Sequence, residues 1–126
     1  TDYQKKLYTM AWNEVMHNTT LMQPGASFRD IIEARYIPES GFGDQPYPCM
    51  AHGLGMADEW PVILYSAEDP QYYDGELEVG MVICVESYIG EIGGVEGVKL
   101  EDQCLITNSG PITLSRYPFE ENLLID

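Results

Sequence analysis

The chain has 126 residues, 44% of them apolar, which suits one domain or part of a larger one and excludes disorder. Twenty-one acidic residues stand against six basic ones, a formal charge of -15. That balance excludes nucleic acid, whose phosphates need Lys and Arg, and an anionic membrane surface.

In chain order, Asp2 is the expected cap of a helix over residues 3–17. Tyr3, Leu7, Ala11 and Val15 recur there every four residues. His17 falls at its end, where an imidazole suits the negative pole of the helix dipole. Pro24-Gly25 predicts a turn. Ser27 to Asp30 has capping-box spacing, and Phe28, Ile31, Ile32, Arg35 and Tyr36 predict a short second helix. Residues 37–48, with three prolines and two glycines, predict a loop with Tyr47 near its end. Short apolar runs predict strands at 62–65, 81–86, 98–107 and 112–114. Glycines at 90, 93, 94 and 97 mark the turn between the two longest, and the tail reads as polar and loose. Two helices followed by several strands predict an α+β fold with a mainly antiparallel sheet.

Cys49, Cys84 and Cys104 are odd in number and irregular in spacing, against a disulfide framework or a zinc knuckle. They suit a reducing, cytoplasmic setting, with Cys84 and Cys104 read as small core hydrophobes. No run is long enough to span a membrane, and no signal peptide is visible.

Three residues form a candidate ligand set for a divalent metal: His52, Glu86 and Glu101. One imidazole with two carboxylates suits borderline or hard cations, leaving Fe, Mn, Co and Zn open. Taken singly, each has a plainer reading. A histidine in Ala51-His52-Gly53 is more often a satisfied core residue, and a glutamate closing a strand often faces water. Glu86, however, ends the most apolar run of the chain, where a carboxylate is costly to bury without a cation. Strand alternation also turns Glu101 and Asp102 to opposite faces, so one can face a metal while the other does not.

The stretches His52-Gly53-Leu54-Gly55, Val85-Glu86-Ser87-Tyr88 and Gly97-Val98-Lys99-Leu100-Glu101-Asp102 together resemble the pita-bread metalloenzymes, the creatinase, prolidase and aminopeptidase P superfamily. The resemblance runs from about residue 3 onward. It implies that His52, Glu86 and Glu101 are metal ligands and that the metal site holds two ions. It also implies that two further aspartate ligands lie upstream, so that residues 1–126 form the C-terminal part of a pita-bread catalytic domain, inactive or weak in metal binding alone. A small-molecule substrate and a homodimer are further implications.

One slot departs from the peptidases of this superfamily. Where they often carry His-Glu-x-Pro, this chain has Asp58-Glu59-Trp60-Pro61. An ionised carboxylate donates no hydrogen bond to an oxyanion, but it can serve as a general base. In this it is similar to the branch that cleaves dimethylsulfoniopropionate to dimethyl sulfide and acrylate. That similarity implies Asp58 as base and Tyr47 as a substrate-facing residue. The plainer readings are a loop-capping carboxylate for Asp58 and a packing aromatic for Tyr47. A metal-dependent lyase is the leading expectation; the alternatives are an Xaa-Pro metallopeptidase and a non-catalytic relative.

Overall fold

A computed structural model of the chain describes residues 1–43 and 46–125. Asp44 and Gln45, within the expected loop, lie outside the described residues. Helix α1 spans Asp2–Thr20 and buries Leu7, Met10, Ala11 and Val15, one stripe at helical spacing. Its cap is Thr1 rather than Asp2. The Thr1 hydroxyl accepts from the Gln4 backbone N–H at 3.2 Å, and the Gln4 side chain accepts from the Thr1 amine at 3.0 Å. Asp2 instead places its charge in the first turn, by the positive end of the helix dipole. The helix outruns the expected end at His17. The hydroxyls of Thr19 and Thr20 donate back to the Val15 and His17 carbonyls at 2.7 and 2.6 Å, in the last turn, where back-bonding of this kind accompanies the end of a helix. His17 keeps a structural role, its Nε2 lying 2.8 Å from the Ala34 carbonyl.

Helix α2 spans Phe28–Ala34, capped by Ser27 as its sequence predicts. The Ser27 oxygen accepts from Asp30 N–H at 3.1 Å and donates to the Asp30 carboxylate at 2.7 Å. Phe28, Ile31 and Ile32 are buried.

Five strands follow: β1 Ala51–Gly53, β2 Val62–Ile63, β3 Val82–Gly90, β4 Gly97–Thr107 and β5 Gly110–Thr113. They form one sheet in the order β2-β1-β3-β4-β5, every neighbouring pair antiparallel. The α+β expectation therefore holds. The β3–β4 hairpin is the spine, in continuous register from Val82↔Leu105 to Gly90↔Gly97.

Register divides the sheet into two faces. Ile83, Val85, Ser87 and Ile89 of β3 point to the helices. Val85, Ile83, Cys104 and Ile106 join Phe28, Ile31 and Ile32 of α2 in one apolar cluster, and Ile89 joins Leu7, Met10 and Ala11 of α1 in another. Each such large side chain contributes about 1.5–3 kcal/mol by leaving water. The opposite face of β3 carries Cys84, Glu86 and Tyr88, turned away from both clusters.

The tail is not loose. The backbone N–H of Glu120 donates to the Tyr8 hydroxyl at 2.7 Å, and that of Ile125 donates to Thr9 Oγ1 at 3.1 Å. A 3-10 turn at Glu121–Leu123 lies between these two ties to α1.

Candidate metal centre

Strand register gathers the expected ligands. His52 of β1 sits opposite Cys84 of β3, and Glu86 of β3 sits opposite Glu101 of β4. Side chains alternate along each strand, so all four lie on the same face, the one turned away from the two apolar clusters. The ligand atoms of His52, Cys84 and Glu101 lie within 4.8 Å of one another. Glu86 joins through the imidazole, its Oε1 at 2.8 Å from His52 Nε2. Asp102 turns the other way and is buried, as alternation from Glu101 requires.

The imidazole is held at both ends. Nδ1 lies 2.9 Å from the Gly53 carbonyl and Nε2 faces the Glu86 carboxylate. Both partners are acceptors, and a neutral imidazole has one N–H to give. The second nitrogen therefore needs either a proton or a cation between it and Glu86. Burial acts to depress the His52 pKa, but the Gly53 carbonyl and the Glu86 and Glu59 charges outweigh it, and the net direction is upward.

Lys99, opposite Tyr88 across the hairpin, reaches the same carboxylate. Its Nζ lies 2.6 Å from Glu86 Oε2 and 3.8 Å from Glu101 Oε2. Glu86 Oε2 is buried and takes this ammonium as its ion-pair partner. Burial lowers the Lys99 pKa first, but the neighbouring Glu86 and other anions outweigh it and hold the ammonium charged. Lys99 also stands 3.9 Å above the centre of the Tyr47 ring, a cation–π contact that brings Tyr47 to the edge of the site.

Cys84 is the residue that sequence reasoning placed elsewhere. Read as a core hydrophobe, it is buried, but its thiol belongs to the cluster with His52 and Glu101. The available signal was its spacing of two from Glu86 on one strand, which puts both on one face. Burial, then Glu101, pushes its pKa up to about 12, so it stands as a neutral thiol. The other two cysteines are free and buried as well.

Asp58 is placed differently. It is exposed, on the loop between β1 and β2, with φ 58° in the left-handed region that Asp tolerates better than most residues. Its N–H donates to the Gly55 carbonyl at 3.1 Å, closing a tight turn. Among the described residues its side chain makes no hydrogen bond or ion pair. The far end of the loop is pinned at Gly53, whose N–H donates to the Pro61 carbonyl at 2.6 Å. A Cβ at position 53 would collide with the Trp60 carbonyl, so the close approach requires glycine there.

The donor set suits a divalent cation on the structure's own terms. An imidazole nitrogen faces a buried carboxylate at 2.8 Å, a place that a proton or a cation has to fill, and a second carboxylate and a thiol stand alongside. The Gly53 carbonyl supplies the outer hydrogen bond that orients a ligating histidine.

The model of metallopeptidase family M24 matches residues 1–108, and the chain belongs to that family. Among curated relatives, it is 40% identical over 115 residues to dimethylsulfoniopropionate lyase DddP of Roseovarius nubinhibens, covering 90% of this chain and 26% of that protein. It is 31% identical over 118 residues to the Xaa-Pro dipeptidase of Pyrococcus furiosus, covering 90% of this chain and 31% of that one. Among solved structures, an Xaa-Pro dipeptidase from Bacillus anthracis superposes with a TM-score of 0.78 at 27% identity, covering 95% of this chain and 33% of that one. The chain thus spans about a quarter to a third of the length of these relatives.

Proposed function

We propose that the chain forms the C-terminal part of a pita-bread catalytic domain whose whole is a metal-dependent dimethylsulfoniopropionate lyase. The observation that carries this is the 40% identity over 90% of the chain to a lyase of that name, against 31% to a dipeptidase. Asp58, in the slot where the peptidases often carry histidine, agrees with it, although relatives called Xaa-Pro peptidases also carry aspartate there. His52, Glu86 and Glu101 would hold the metal, with Cys84 beside them, and an upstream segment would complete a two-ion site. A bound divalent cation supplies Lewis-acid charge at neutral pH. The metal is one of Fe, Mn, Co or Zn, which imidazole and carboxylate donors accept alike.

The chain's own groups divide the remaining work. Asp58, on the rim loop, takes a proton from the carbon next to the substrate carboxylate. The C–S bond then breaks, its electron pair leaving on sulfur, to give dimethyl sulfide and acrylate. Tyr47, fixed under Lys99, lines the substrate side, and Lys99 neutralises Glu86 and Glu101 before they receive a metal. We place the enzyme in the cytoplasm, which suits three buried free thiols, and as a homodimer on family resemblance.

The test is turnover by the complete protein. Dimethyl sulfide should be released from dimethylsulfoniopropionate, and Asp58→Asn should abolish that release while metal content stays unchanged. The dipeptidase relatives support one other reading, an Xaa-Pro metallopeptidase. Cleavage of an Xaa-Pro dipeptide without sulfide release would replace the lyase by it.

A further inference from the structure

The start of α2, the end of the 54–61 loop and residues 73–78 line an open cavity of about 430 Å³. None of the candidate ligands lines it. Its wall is aromatic. Trp60 stacks on Tyr73 with centroids 4.5 Å apart and planes 10° from parallel, and Phe28 meets Tyr73 edge-on at 5.7 Å. Tyr73 is fixed, because its hydroxyl accepts from Val62 N–H at 2.7 Å. Trp60 remains 58% exposed, an unusual state for a large ring already held by a stacking partner.

The rim is acidic. Asp74, Glu76 and Glu78 all line the cavity. Asp74 has a partner in Arg29, 4.0 Å away; Glu76 and Glu78 have no ion pair among the described residues. The rim is also preorganised. Phe28 N–H donates to the Gly75 carbonyl at 2.9 Å, and Leu77 N–H donates to the Ala26 carbonyl at 3.0 Å. A Cβ at position 75 would strike the Phe28 ring, so the carboxylate-bearing segment lies flush against the aromatic wall.

We infer that this cavity is a binding site for small onium cations, methylated ammonium or sulfonium groups, separate from the metal centre. Ring faces attract a cation through their quadrupole, and that attraction grows where water is thin. A methylated onium centre donates no strong hydrogen bond, so it loses little on leaving water and needs no ligating oxygen. Carboxylates at the rim then supply charge complementarity without direct contact. A metal ion would be poorly served by this wall, and an anion would be repelled by its rim. The inference stands whether or not the metal face carries lyase chemistry.

The experiment is an NMR titration of the protein in excess chelator with choline, and in parallel with neohexyl alcohol, the uncharged carbon isostere of choline. Choline should shift the Trp60 indole N–H saturably and leave that of Trp12 on α1 unmoved. It should bind about tenfold or more tightly relative to the alcohol, the size of a partly desolvated cation–π contact. Trp60→Ala should remove the response. The double change Glu76→Gln and Glu78→Gln, at exposed positions that leave the ring wall intact, should weaken choline but not the alcohol. Equal binding of the two probes, shifts centred on His52, or no saturable shift at Trp60 would overturn the site.

Discussion

Glu14 and Glu86 are both only 2% exposed, and they meet β3 from opposite sides. Glu14, on α1, accepts a 2.6 Å hydrogen bond from the Ser87 hydroxyl. Glu86, one residue earlier on the strand, faces His52 and Lys99. A buried carboxylate is costly unless something answers its charge. On the helix side the answer is a hydroxyl donor: burial raises the Glu14 pKa, and the Ser87 bond only partly opposes it. On the open side the answer is cationic. A carboxyl tied to a neighbouring hydroxyl of its own fold is a structural link, whereas one held by cations can exchange one cation for another. Equal burial therefore conceals two different jobs, separated by one step of strand alternation.

The widest gap between the two sides should appear in metal affinity. In the complete protein, His52→Ala, Glu86→Ala and Glu101→Ala should each cost more than the roughly 10–100-fold typical of outer hydrogen-bond partners. Glu14→Ala should leave bound metal unchanged. Elemental analysis after dialysis reads both, and full occupancy in all three ligand variants would erase the contrast. The converse probe is Ile89→Ala on the helix face, where Ile89 packs with Leu7, Met10 and Ala11. It should cost about 2–5 kcal/mol in urea denaturation with metal affinity preserved.

A pH series sharpens the Glu14 side. Its folded pKa lies above its ordinary value of 4.5, so the folded state holds the proton more tightly than the unfolded chain. That contribution to stability is fully present below the ordinary value and is lost as pH rises through the raised one. Glu14→Gln, which keeps an acceptor for Ser87, should flatten this part of the stability–pH curve. An unchanged slope would mean that Glu14 is ionised when folded. The smallest effect belongs to Lys99, which is exposed and competes for the same carboxylates. Lys99→Met should tighten divalent binding by about threefold, less at high salt, as suits a partly exposed pair. Weaker binding would show that the ammonium holds the ligands in place.

The sequence made the two helices legible because their apolar stripes repeat at helical spacing, and it made the hairpin legible through the glycines that turn it. Thr1 was harder to see as the cap, because Asp2 is an equally good residue type one position on. The role of Cys84 was hidden for a different reason. In Val82-Ile83-Cys84-Val85 both faces are at least partly buried, so polarity does not alternate and the face of a thiol is silent. Glu86 breaks that silence only at the strand's middle. The position of Asp58 depends on a left-handed turn, and the tail's attachment depends on Tyr8 and Thr9, more than a hundred residues away in sequence. Such long-range pairings leave no local pattern to read.

Gly53 has one more consequence. A single peptide unit serves two masters there: its carbonyl aims the imidazole, and its bare Cα makes room for Trp60 at the foot of the rim loop. Changes in the length or sequence of residues 54–61 that move Trp60 are therefore transmitted to His52 without touching it. Loop and imidazole are joined through one peptide unit, so, on the proposed assignment of His52 to the metal, a remodelled rim should bring a changed metal affinity with it. A loop grafted from a relative has to be judged by what it does to the histidine as much as by what it admits.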